Sequence, residues 1–169
     1  MPEPRWLSDE EQETWRAFLT ATRRIFDELD RALQAGAGMP HAYYVVLATL
    51  SEAPQRTLRM SELAVATGSS RSRLSHAVAR LEEAGWVERR PAPGDRRGAV
   101  AVLTDAGMAT LSAAAPGHVD SVRRHLFDRL TAAQVCELRQ VCEAVLRREG
   151  AGPGVPGAVL ARDIELMGE

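Results

Sequence analysis

At 169 residues the chain is long enough for one domain with a hydrophobic core, or a small domain with extensions, and too short for two large ones. No apolar run reaches the roughly eighteen residues of a membrane span, and the opening MPEPRWLSDEEQ lacks a signal-peptide core, so we expect a soluble cytoplasmic protein. The formal net charge of −2 hides an uneven distribution: −3 over residues 1–35, zero over 36–66, +3 over 67–103 and −2 over 104–169.

The first segment predicts one long helix. Ser8 with Glu11 makes a capping box, and Trp15, Phe18, Leu19, Thr22, Ile25, Phe26, Leu29 and Leu33 recur at helical spacing. AGAGMP breaks it, and HAYYVVLATLSEAP reads as a second helix stopped before Pro54. RTLRM, Arg56 to Met60, is short enough for a single strand. A short helix begun by Ser61 follows, then a turn at Gly68-Ser69 and a helix begun by Ser69 or Ser70. Two short helices about a glycine turn are the helix-turn-helix pattern. In the second of them Leu74, Val78 and Leu81 face inward by spacing, leaving Arg71, Ser72, Arg73, Ser75, His76 and Arg80 outward.

Gly85 ends that helix, and WVERR pairs through the PAPGD turn with AVAVLT, giving a β-hairpin directly after the helix-turn-helix. Thr104-Asp105 then caps a fifth helix running to about Arg129, with Pro116-Gly117 inside it predicting a kink. Thr131 with Gln134 caps a last helix striped by Val135, Leu138, Val141, Cys142, Val145 and Leu146. Its cysteines, Cys136 and Cys142, point roughly 120° apart by helical geometry and cannot form a disulfide with each other, so buried thiols are expected. GAGPGVPG reads as a flexible linker, and AVLARDIELM as a short amphipathic tail.

The fold class is thus mainly α with a small β-hairpin wing: a winged helix-turn-helix over residues 36–104, flanked by helices over 1–35 and 105–149, with a linker and tail over 150–169. The flanking helices carry more apolar face than one such domain covers, which points to burial across a two-fold axis as dimerisation helices of a homodimer. No metal-ligand spacing, Ser-His-Asp order or phosphate-binding glycine loop stands out, so neither an enzyme nor a cofactor is expected.

The order of helix, exit stretch and wing resembles the MarR (multiple antibiotic resistance regulator) family of bacterial transcription factors over residues 10 to 148. The most specific match is Asp95-Arg96-Arg97 followed by Leu103-Thr104-Asp105-Ala106-Gly107; the second is RLEEAGWVERR, Arg80 to Arg90. Ala101 departs from the larger β-branched residue common at that point. The resemblance implies that Arg97 enters the minor groove of double-stranded DNA, with Asp95 holding the loop and Arg96 beside it. Arg71 and Arg73, in the first turn of the recognition helix, would reach base edges in the major groove. Ser69, Ser70, Ser72 and Ser75 either cap that helix or bond phosphates, His76 contacts DNA or solvent, and Arg80 reaches phosphate.

It also implies a small aromatic or lipophilic effector held between the dimerisation helices and the winged helix. Trp15, Arg16, His41, Tyr44 and His118 are its candidate contacts, with Leu19, Tyr43, Leu47 and Val122 nearby or simply core. The first helix contains no cysteine, which disfavours a thiol sensor and makes Cys136 and Cys142 expected dimer-core residues. The expected protein is a homodimeric repressor on a pseudo-palindromic operator, released by an effector. A constitutive or architectural DNA binder and a winged-helix protein-interaction module remain open.

Overall fold

A computed structural model describes residues 3–92 and 94–147, with the backbone alone at Asp95, Arg96 and Arg97. The expected linker and tail lie outside the described residues.

Six α-helices and one three-stranded sheet make up the described chain. Helix α1, Asp9–Ala37, begins with the predicted capping box: the Ser8 hydroxyl accepts from the Glu11 N–H, and the Glu11 carboxylate accepts from the Ser8 N–H at 2.7 Å. It ends at Gly38, whose left-handed φ of 64° lets its N–H reach back to the last carbonyls. Helix α2 spans His41–Glu52, and its first turn is capped from another helix, because the His41 N–H donates to Asp30 Oδ1 at 2.8 Å. A 3₁₀ turn over Pro54–Arg56 leads into β1, Thr57–Arg59. The strand is shorter than RTLRM: Arg56 sits at φ 53° in the turn, and Met60 already belongs to α3, Met60–Ala66. Helix α4, Arg71–Glu83, completes the helix-turn-helix with Ser70 as its N-cap.

Strands β2, Val87–Ala92, and β3, Asp95–Leu103, form the hairpin. The sheet is antiparallel with β3 in the centre, flanked by β1 and β2. Ala101 stands opposite Leu58 on one side and Arg89 on the other, and it is fully buried. Trp86 precedes the strand rather than opening it. Helix α5 spans Asp105–His125 and stays helical through Pro116; the first departure from helical geometry comes at Leu126, with φ −129° and ψ −72°. The helix therefore ends short of the expected Arg129, whose side chain Nε–H instead caps the Arg124 carbonyl at 2.9 Å. Helix α6, Ala132–Leu146, starts with the predicted capping box on Thr131 and Gln134.

The core lies beneath the helix-turn-helix. Leu74, Val78 and Leu81 of α4 meet Leu47 and Leu50 of α2, Leu63 of α3, Val87 and Leu103 of the hairpin, and Leu111 of α5. Helix α6 contributes nothing to it: none of its residues is buried, and both cysteines are exposed in the single chain. Among the described residues of one chain no surface packs over α6, so any burial of these thiols falls to a second copy. The first half of α1 is equally bare, with Trp15, Phe18 and Leu19 each about half exposed.

One junction joins the DNA-reading unit expected from the sequence to α5. The Thr104 hydroxyl donates to the Gly85 carbonyl at 2.7 Å and accepts from the Gly107 N–H at 3.0 Å, while the Thr104 N–H donates to the Trp86 carbonyl at 3.1 Å. Gly107 rests against the same carbonyl: a Cβ there would stand 2.1 Å from Trp86 O. The threonine and glycine of LTDAG thus weld the exit of α4 to the start of α5. Gly107→Ala is expected to cost about 2–3 kcal/mol of stability, the upper range for overpacking. Gly36→Ala, in open helix surface with nothing within 4 Å, should add about 0.5–1 kcal/mol. Urea unfolding at one fixed protein concentration distinguishes the two.

Candidate nucleic-acid interface

Helix α4 is held from behind and presented in front. Leu74, Val78 and Leu81 are buried, whereas Arg71, Ser72, Arg73, Ser75, His76 and Arg80 are exposed, as their spacing predicts. Of the four serines, Ser70 has the capping role: its hydroxyl accepts from the Arg73 N–H at 3.3 Å. Ser69 is half-buried before the helix, and Ser72 and Ser75 face solvent.

The arginines on this surface differ in how far they are already neutralised. Arg71 and Arg73 make no ion pair with a described residue. Arg80 binds Glu83 at 2.7 Å, a hydrogen bond and a charge that together raise its pKa. In the hairpin, Arg90 binds Glu88 at 2.7 Å, which raises the arginine's pKa and lowers that of the carboxylate. Arg89 binds Glu82 of α4 through both its guanidinium and its backbone N–H. Much of the positive charge that the sequence assigns to this segment is therefore engaged within the chain. Sequence spacing did not reveal the Glu82–Arg89 pair, because its members lie seven residues apart in different elements.

At the hairpin tip the pairing is irregular. Pro91 stands opposite Ala99 and Ala92 opposite Asp95, so Arg96, Arg97 and Gly98 fall within a register shift. The expected bracing of Arg97 by Asp95 involves side chains outside the described residues, as does the placement of the Arg96 side chain.

The five residues expected around an effector fall into two groups within one chain. Trp15 and Arg16 lie on the bare half of α1, beside Trp6, Leu7 and Gln12, and Arg16 donates to Gln12 Oε1 at 3.1 Å. His41, Tyr44 and His118 cluster where α1, α2 and α5 meet. Rings step inward from half-exposed Phe26 to His41 at 5.6 Å, from His41 to His118 at 5.6 Å, and from His118 to fully buried Tyr44 at 4.2 Å. Trp15 and Phe26 are eleven residues apart on one helix, about 16 Å at 1.5 Å per residue. Leu47 belongs to the core, Tyr43 and Val122 are half-buried, and Leu19 is exposed.

Ser121, one turn beyond His118 on α5, was not singled out by sequence, although its i+3 spacing from that histidine was available. Its Oγ and His118 Nδ1 are buried, with no hydrogen-bond partner among the described residues. Such groups are few in native interiors. Burial, and then the neighbouring His41, lower the His118 pKa to about 4, so the ring is neutral at physiological pH. His41 is lowered by burial as well, against an opposing pull from Asp30. A neutral ring at this position offers a ligand hydrogen bonds and not a positive charge.

A helix-turn-helix followed by a two-stranded wing defines the class: a winged helix-turn-helix protein. The family model of the MarR family matches residues 37–98. Sco3205, a MarR family transcriptional regulator from Streptomyces coelicolor solved in complex with DNA, is 54% identical, with a TM-score of 0.81 over 85% of this chain and 89% of that one. AbsC, a MarR family transcriptional regulator from the same organism, is 42% identical, with a TM-score of 0.77 over 84% and 95%. The transcriptional repressor MprA of Escherichia coli K12 is 28% identical over 125 residues, 74% of this chain and 70% of that protein. The chain belongs to the MarR family of transcriptional regulators.

The buried imidazole makes stability depend on pH. His118 takes up a proton near pH 6.5 when unfolded but only near pH 4 when folded, so its neutral form stabilises the fold fully above pH 6.5. Stability should fall as pH drops from about 6.5 to 4, because the unfolded chain binds the extra proton. His118→Gln should flatten that part of the curve while leaving the side chain neutral and polar. Urea midpoints collected across this window would expose the difference, and an unchanged slope in the variant would contradict the assignment.

Proposed function

We propose that this chain is a homodimeric repressor that binds a pseudo-palindromic operator and is released by a small uncharged effector. The observation that carries DNA reading is the state of α4. Its inner face is locked into the core, and Arg71 and Arg73 stand at its exposed first turn without an ion-pair partner among the described residues. A guanidinium that is not internally neutralised is free to make the bidentate contact to guanine that specifies a base. Arg80, paired with Glu83, suits a phosphate contact that exchanges one anion for another. Arg97, with Asp95 and Arg96, is assigned to the minor groove by family resemblance. The DNA complex of Sco3205 supports the same reading.

Dimerisation is supported by what one chain leaves uncovered. Trp15 and Phe18 on α1, and Val141, Val145 and Leu146 on α6, are each more than half exposed, and a second copy burying the same faces accounts for them. Helices α1, α5 and α6 are then the dimerisation elements, and residues 36–104 the reading unit. In the dimer the two α4 helices must sit about 34 Å apart to meet successive major grooves. An effector at the His41, Tyr44 and His118 cluster would act where α1 and α5 grip α2, and so alter that separation. The unmatched His118 Nδ1 and Ser121 Oγ favour a hydroxyl or amide, rather than a carboxylate, as its polar group.

Gel shifts on a duplex selected by the protein from random DNA test the reading. Arg73→Ala should relax preference at one base pair, losing about 1–3 kcal/mol of discrimination. Arg97→Ala should weaken binding to all sequences. Wild-type binding that is absent, or independent of salt, would exclude this function. Operator binding unmoved by any of a panel of phenols and aromatic amides would favour a constitutive binder.

A further inference from the structure

Glu82 lies in the last turn of α4, and both of its carboxylate oxygens are taken by one residue of the wing. Oε1 accepts from the Arg89 backbone N–H at 2.9 Å, and Oε2 from the guanidinium Nε–H. The reason lies in strand geometry. Alternation puts Val87 and Arg89 on the same side of β2, and Val87 enters the core, so Arg89 is a charge turned toward α4. Strand β2 is also an edge strand, and the Arg89 N–H is satisfied by Glu82. One carboxylate thus meets both needs.

The pair differs from its neighbours. Its side chains are only 33% and 30% exposed, against 62% and 65% for Arg80–Glu83 and 55% and 52% for Arg90–Glu88. Those two pairs join residues of the same element and are weakened by solvent. Glu82–Arg89 joins two elements and, among the described residues, is the outermost hydrogen-bonded tie between α4 and the hairpin. From Arg89 to the turn at Gly94 the hairpin projects about 17 Å, at roughly 3.3 Å per residue. A rotation of about 10° at the tie therefore moves the tip by about 3 Å, as large as a whole hydrogen-bond length.

We propose that Glu82 is a positioning residue, which through Arg89 fixes the angle between the recognition helix and the wing so that both fit adjacent grooves of one duplex. Arg89 on this account makes no DNA contact of its own. The proposal rests on the reading of α4 and the wing as the DNA-contacting elements.

The sign of the effect separates this role from simple electrostatics. Removing a carboxylate beside a polyanion should tighten DNA binding, whereas losing the wing angle should weaken it. With a duplex selected by the wild-type protein from a random pool, Glu82→Ala and Arg89→Gln are each expected to weaken binding about tenfold. Both should lose the hydroxyl-radical footprint of the wing while keeping the major-groove methylation protection of α4. Arg90→Ala should do neither. Residual dipolar couplings of the free full-length protein give a second readout without DNA: hairpin amides should reorient relative to α4 in Glu82→Ala, with α4 unchanged. Glu82→Gln, which keeps an acceptor for the Arg89 N–H, should fall between and serves if the alanine variant does not fold. Tighter binding by Glu82→Ala, parallel loss of both footprints, or unchanged couplings would overturn the proposal. Wild-type protein that binds no DNA would instead overturn the function, leaving the couplings to decide the wing angle.

Discussion

The structure depends on the contact between Thr104 with Gly107 and the Gly85–Trp86 backbone. One hydroxyl satisfies a carbonyl at the end of α4 and an amide at the start of α5, and a glycine lets the two backbones touch. Chain leaving α4 and chain entering α5 are nineteen residues apart in sequence yet joined by direct hydrogen bonds. Any displacement of α5 must therefore carry the exit of α4 and the root of the wing with it. The exposed pair between Arg56 and Asp105, at 3.0 Å, adds a weaker tie from the turn before β1 to the same first turn of α5.

Charge in this protein is handled locally. The segment with the positive excess spends part of it on its own carboxylates and, among the described residues, leaves the arginines in the first turn of α4 without an ion pair. The opposite choice is made between α1, α2 and α5, where burial keeps His118 neutral and pulls the pKa of His41 down. A charged His118 would lack, among the described residues, a counter-ion to offset its desolvation. The interior junction is thus polar without being ionic, and two of its atoms are left for a partner that the described residues do not supply.

Much of the fold was legible because each element carries its own local signal. Capping boxes at Ser8 and Thr131, the inward spacing of Leu74, Val78 and Leu81, and the turn between two alternating runs are interactions among neighbours in sequence. Where such signals end, so did the accuracy. The end of α5 at His125 is decided by the backbone at Leu126, and the exposure of Cys136 and Cys142 in one chain by the lack, among the described residues, of a surface packed over α6. An apolar stripe announces that a face will be covered but not by which copy.

The site divides along the same line. Sequence by itself determined the order of elements, the family, and which arginines and serines stand on the outer face of α4, because helical periodicity fixes facing once a core is assumed. Tertiary structure alone decided which of those charges are free. Ion pairing between Glu82 and Arg89 needs the hairpin folded back on the helix, and the meeting of His41, Tyr44 and His118 needs α2 and α5 to cross. It also separated Trp15 and Arg16 from that cluster, since a rigid helix holds residues eleven positions apart at about 16 Å whatever their shared chemistry.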